Sequence, residues 1–174
     1  DAVQLCAGCR RGKDSMSSAS TSEVKANPAI AAEDRLRADL YNFIGLLLAG
    51  PPDQMLLDQT AALIDQGADL KLITDNADVA AAIAGHGGAF KVLIEIDCGE
   101  HRTGVVPESP DLLDIADTLA AAEKAEFAGV LTHAGHSYDC RTEDDIAAVA
   151  EEERAGAVLA AERIARAGIP CPTV

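Results

Sequence analysis

From Gly67 onward the chain alternates between short apolar runs and longer helical patterns, and this alternation limits the fold more than any other feature. "LKLIT" (70–74) reads as a strand, and "ADVAAAIAG" (77–85) as a helix capped by Asp75 or Asn76. "FKVLIEID" (90–97) is the clearest strand. Ser109-Pro110 opens a helix with proline at its first position, and Leu112, Leu113, Ile115, Ala116 and Leu119 form its buried stripe. "FAGVLTH" (127–133) is a third strand. Thr142 and Asp145 make a capping-box start for a helix that runs to about Ala167 and stops at Gly168, and "PCPTV" begins a fourth strand. A β-α-β-α-β-α-β series predicts an α/β fold with a parallel sheet and right-handed crossovers. About four strands fall short of the eight that close a barrel, so the expectation is a partial parallel (β/α) barrel over 67–174.

The preceding residues follow a different pattern. Residues 1–32 read as an irregular, Ser/Ala-rich leader. Cys6-x-x-Cys9 is half of a zinc motif with no second pair at ribbon spacing. Across 33–66 two helices are expected. Leu36, Leu40, Phe43, Ile44, Leu47 and Leu48 line the first, which Gly50-Pro51-Pro52 stops; the second follows Asp53 with Leu56, Leu57, Leu63 and Ile64 apolar. They could cover an exposed edge of the sheet, as could a second copy in a homo-oligomer.

Charge also divides the chain. The net charge is −15, and residues 60–174 carry 8 basic and 21 acidic side chains. Nucleic acid and anionic membrane surfaces are poor partners for such a chain. No apolar run approaches the roughly 20 residues that cross a bilayer. Five irregularly spaced cysteines fit reduced thiols and a cytoplasmic location better than a disulfide framework.

In parallel α/β folds ligands bind beyond the carboxyl ends of the strands. Two loops at that end are rich in functional groups. One is Asp97-Cys98-Gly99-Glu100-His101-Arg102-Thr103-Gly104, and the other is His133-Ala134-Gly135-His136-Ser137-Tyr138-Asp139. Three readings are open. Asp97, Cys98, His101, His133 and His136 are competent metal ligands, although His-x-x-His on a loop has no spacing rule behind it and no metal is assigned. Alternatively His133 bonds to backbone, His136 is solvated and Arg102 pairs with a neighbouring carboxylate. Otherwise the loops form a cofactor cradle, with an imidazole against a flat ring, an arginine fork on a phenolate or carboxylate, and a tyrosine that orients substrate or transfers a proton.

"KVLIEIDCGEHRTGV" followed by "FAGVLTHAGHSY" resembles the D-threonine aldolase and D-serine dehydratase group, pyridoxal-phosphate enzymes of the alanine-racemase-like barrel type. The resemblance covers roughly residues 60–174. It implies that Arg102, His133 and His136 are cofactor-binding, with Arg102 near the phenolic oxygen and His133 packed by the pyridine ring. It also implies that Tyr138 is the active-site tyrosine and that a D-amino acid is the substrate. The Schiff-base lysine of that group precedes the matching region. Lys71 and Lys91 begin strands, Lys124 lies at a helix end, and Lys25 follows no apolar strand. By resemblance, then, the chain is a middle slice of a D-amino-acid lyase that is inactive alone. "AEDRLRADLYNFIGLLLAGPPDQMLLDQ", over roughly 16–59, is instead similar to the amino-terminal helices of TorD-type chaperones, which mature molybdenum oxidoreductases. A composite chain is one implication, and a helical chaperone or binding protein is the alternative function.

Overall fold

Side chains that alternate along three strands organise the structure. A computed structural model describes residues 54–174, all within one compact unit, Leu46–Val174. The helix expected around Leu40 and the Cys6/Cys9 pair lie outside the described residues. In order, the elements are α1 (Gln54–Asp65), β1 (Lys71–Thr74), α2 (Ala77–His86), β2 (Lys91–Ile96), α3 (Asp111–Ala120), β3 (Glu126–Thr132), a 3-10 turn (Gly135–Asp139) and α4 (Glu143–Arg166). The strands pair in parallel in the order β1-β2-β3. Ile73 sits opposite Leu93, and Glu95 opposite Leu131.

Along β1 and β2 the period of two sends Leu72, Thr74, Val92, Ile94 and Ile96 to one face, where all are buried. The helices bring Ile83, Leu112, Ile115, Leu119 and Ile164 to the same core, each fully buried. Such a side chain contributes about 1.5–3 kcal/mol by leaving water, so this layer carries most of the stability. The opposite face carries Ile73, Leu93, Glu95 and Leu131, and Glu95 is its one buried charge-bearing side chain among the described residues.

Local signals place the helix ends. Asn76, not Asp75, caps α2, its side chain accepting from the amides of Asp78 and Val79 at 2.8 and 3.2 Å. Asp75 is thereby left to reach across to the next loop. Thr142 and Asp145 form the expected capping box, with both bonds at 3.1 Å. Pro110 falls one residue earlier than expected, just ahead of α3 with helical dihedrals, and Ser109 Oγ accepts from the amide of Asp111 at 3.2 Å. The last residue of α2 ties it to α1, His86 Nε2 lying 2.9 Å from Asp58 Oδ1.

The fourth expected strand does not form. "PCPTV" runs beside β3 but makes a single backbone bond to it, from the amide of Val130 to the carbonyl of Thr173 at 3.0 Å. Pro170 and Pro172 have no N–H, so a regular ladder cannot be built there. The two backbones approach closely at Gly129, where a Cβ would overlap the carbonyl and amide of Thr173.

Candidate functional site

The first loop folds around its own carboxylates. Asp97, where β2 ends, accepts from the amides of Gly99 and His101 at 2.9 and 3.0 Å and lies 2.7 Å from the ring of His101. Burial alone would raise its pKa, but these bonds hold the carboxyl below the usual carboxylate range. They also hold His101 in a left-handed conformation, φ 56°. The loop then returns to its own strand, where Val105 donates to the carbonyl of Glu95 and accepts from the amide of Asp97. Closure needs a glycine at 104, because a Cβ there would sit 2.5 Å from the amide nitrogen of Asp97. Asp75, from the end of β1, accepts from the amide of Gly104 at 2.9 Å.

Glu95 lies beneath this loop. Its Oε1 accepts from the Thr103 hydroxyl at 2.8 Å, while Oε2 is buried and has no hydrogen-bond partner. Burial pushes its carboxyl up, and the charge of Asp75 adds to this; Thr103, His133 and Arg102 pull the other way. Arg102 and His133, from different loops, therefore both act electrostatically on one buried acid. Arg102 is itself largely exposed and lies 3.4 Å from Glu100.

The second loop is arranged differently. His133 is exposed just past β3, Ala134 is buried, and a 3-10 turn carries the residues after it. His136 is tucked against α4 with both ring nitrogens buried and unbonded, Nε2 lying 3.7 Å from Glu152. Tyr138 is 75% exposed. Of the four expected site residues, Arg102 and His133 both pull the Glu95 carboxyl down, His136 sits beside Glu152 and Gly99, and Tyr138 stands at the surface. Cys98 is buried beside Thr132, and its burial raises the thiol pKa. Among the described residues no three His, Cys, Asp or Glu side chains converge as a metal ligand set, and no helix is long and apolar enough to cross a membrane.

Sequence reasoning missed Glu95, Glu100 and Asp75. Glu95 did leave a signal, an acidic residue inside the apolar strand "KVLIEI". Glu100 and Asp75 left none, since their partners are 35 and 29 residues away.

Comparison with known proteins agrees with this architecture. D-threo-3-hydroxyaspartate dehydratase from Delftia sp. (strain HT23) is 48% identical over 123 residues, 68% of this chain and 32% of that protein. Its solved structure superposes with a TM-score of 0.67, covering 72% of this chain and 34% of the other. D-threonine aldolase from Filomicrobium marinum superposes with a TM-score of 0.60 at 25% identity, covering 70% and 33% of the two chains. D-serine dehydratase from Dictyostelium discoideum is 37% identical over 67 residues, 37% of this chain and 17% of that protein. The chain spans about a third of the length of the first of these relatives, and none of the three is a TorD-type chaperone. The family match begins at residue 16 and so takes in the 16–59 segment whose sequence had suggested a TorD-type chaperone. Because that match runs to residue 174 and includes both functional loops, the chain belongs to the alanine racemase N-terminal domain family.

Proposed function

We propose that this chain carries the cofactor-side loops of a pyridoxal-phosphate-dependent lyase acting on D-amino acids with a 3-hydroxyl group, such as D-threonine, D-serine or 3-hydroxyaspartate. The observation that carries the proposal is the placement of Arg102 and His133 on two loops at the carboxyl ends of neighbouring parallel strands, with the half-bonded carboxyl of Glu95 buried near the end of β2. The names of the relatives support the substrate class.

The residues fit one side of pyridoxal phosphate. Glu95 Oε2 is an orphaned buried polar atom, so the centre has hydrogen-bonding capacity to spare. The Arg102 fork suits a phenolic oxygen or carboxylate, and exposure leaves it free to turn toward one. His133 offers a flat ring at the strand end. When bound, the cofactor supplies an electron sink for bond cleavage at or beside Cα. This chain's residues bind and orient: Arg102 holds the anionic oxygen, His133 packs on the ring, and Tyr138 orients the substrate from the rim. His136, set against Glu152, supports the turn that carries Tyr138.

The covalent lysine is a separate matter. Lys71 and Lys91 are exposed at the starts of β1 and β2, and Lys124 is exposed beyond α3, all away from these loops. Residues 60–174 also set a strongly negative field against a phosphate. With none of the described lysines at these loops and Lys25 following no apolar strand, the 174-residue chain alone is expected to contact the cofactor, against that field, without cleaving substrate. Absorbance and circular dichroism of pyridoxal phosphate, followed by borohydride reduction and intact mass, test this. Expected are an induced cofactor signal that Arg102→Ala removes, no stoichiometric adduct and no D-threonine cleavage. A cofactor spectrum unchanged by the chain would sink the lyase reading. One adduct on one lysine, with cleavage, would show that the chain is active by itself.

A further inference from the structure

The two loops that hold the expected site residues are bridged by a side chain that the proposed function leaves without a role. Glu100 belongs to the first loop, and its side chain is mostly buried, 19% exposed. One oxygen, Oε2, accepts from the amide of Gly135 in the second loop at 3.0 Å. The other, Oε1, lies 3.4 Å from Arg102 Nη1. A single carboxylate therefore reads the positions of both loops. Gly135 matches this arrangement, since a Cβ there would overlap the Glu100 carboxylate.

We propose that Glu100 is a positioning residue that sets the spacing between the Arg102 guanidinium and the His133–Tyr138 loop. A carboxylate can serve two donors at once because it has two oxygens and about four lone-pair directions. The bond to Gly135 starts the 3-10 turn at a defined place, two residues past His133 and three before Tyr138. Buried Ala134 anchors the backbone between His133 and that bond. On the other side, the longer contact to Arg102 keeps the fork near the strand ends while leaving it mobile enough to take a ligand's anionic oxygen. Glu95 does not do the same, since its one hydrogen bond goes to Thr103 within the first loop. As a latch, Glu100 makes the second loop's geometry depend on the first.

This inference rests on the reading of Arg102 and His133 as ligand-facing, and its test separates the two. Two conservative variants of the full chain divide the contacts. Glu100→Gln keeps an acceptor for Gly135 and loses the charge facing Arg102. Glu100→Asp keeps the charge but is one methylene too short to hold both contacts. Hydrogen exchange of the Gly135 amide, followed by NMR without cofactor, reads the latch directly. Exchange is expected to rise about tenfold in Glu100→Asp and to stay within about threefold of the parent in Glu100→Gln. Titrated with pyridoxal phosphate, Glu100→Asp should bind about fivefold more weakly, with Glu100→Gln restoring most of that loss. Unchanged Gly135 exchange in Glu100→Asp overturns the latch, even if the parent binds cofactor normally. A parent chain that leaves the cofactor spectrum unchanged defeats the lyase reading instead, and the exchange data still decide whether the latch exists.

Discussion

The two loops differ in where their structural information comes from. The first is built mostly from its own bonds: Asp97 bonds residues two and four ahead of it, Val105 closes onto β2, and Thr103 bonds Glu95, with Asp75 adding one bond from outside at Gly104. The second borrows its position from elsewhere. Its turn is held from outside by Glu100, and its histidine leans on α4 through Glu152. A loop built from near-neighbour bonds can place a guanidinium reproducibly by itself. A loop held by distant partners can shift when those partners do, which suits residues at the rim of a binding site.

The largest expected effect follows from the first loop's closure. Gly104 has φ 94°, and a Cβ would collide with the backbone of Ile96 and Asp97, which cannot move aside as a side chain could. Gly104→Ala should cost about 3 kcal/mol by combining left-handed strain with overpacking. Urea denaturation measures it. A cost under about 1 kcal/mol would mean that the loop is not fixed by its own backbone closure, and the contrast between the loops would fail.

Next comes Asp97, whose removal leaves two amides without an acceptor. Asp97→Ala should cost about 1–2 kcal/mol at neutral pH. Because the folded carboxyl is held below its unfolded value, its contribution is complete above about pH 4 and is lost as pH falls through the folded pKa. The difference between parent and variant should therefore shrink below pH 4. A difference that stays constant down to pH 2 would show that the loop is stabilised by something other than the charge.

Glu95 should give the opposite sign. Burial raises its carboxyl, so its neutral form favours the fold below the unfolded value of about 4.3, and that advantage is lost as pH rises through the folded pKa. Glu95→Gln keeps an acceptor for Thr103 and removes the buried charge. It should stabilise the chain by about 1 kcal/mol at pH 8 and by almost nothing at pH 4. Chemical denaturation at the two pH values checks this, and a destabilised variant at pH 8 would mean that Arg102 and His133 already neutralise the charge.

How far the sequence could be read follows the same division. The three strands and four helices of the described residues were legible because each depends on neighbours within a few residues, such as the apolar run of β2 or the Thr142 and Asp145 capping box. The carboxyl-end loops were legible as a place, since parallel strands fix which ends face the ligand side. "PCPTV" misled because its apolar character suggests a strand while its prolines remove the donors a ladder needs. The cross-loop bonds of Glu100 and Asp75 could not be read from local pattern, because nothing at either end of such a bond marks a partner about thirty residues away. For the same reason the shared pull of Arg102 and His133 on Glu95 could not be read from either loop.

The smallest stability effect is expected at Tyr138, and there it sharpens the comparison most. Its side chain is 75% exposed on the 3-10 turn, where the neighbouring contact runs from the Arg141 guanidinium to the Tyr138 carbonyl, not to the phenol. Removing the hydroxyl therefore takes nothing from the fold, and Tyr138→Phe should change stability by less than about 0.5 kcal/mol. A large exposed aromatic in a chain with only 3% aromatic residues nevertheless has a cost in solubility, which suits a residue kept for contact with a ligand. If Tyr138 orients substrate, Tyr138→Phe should leave the cofactor-induced dichroism intact while weakening the binding of a D-3-hydroxy amino acid by roughly tenfold, the value of one hydrogen bond of about 1.4 kcal/mol. Isothermal titration of D-threonine into the cofactor-loaded chain, parent against variant, reads that difference. Equal affinities would place Tyr138 outside the site and leave the second loop with His133 alone as its ligand-facing residue.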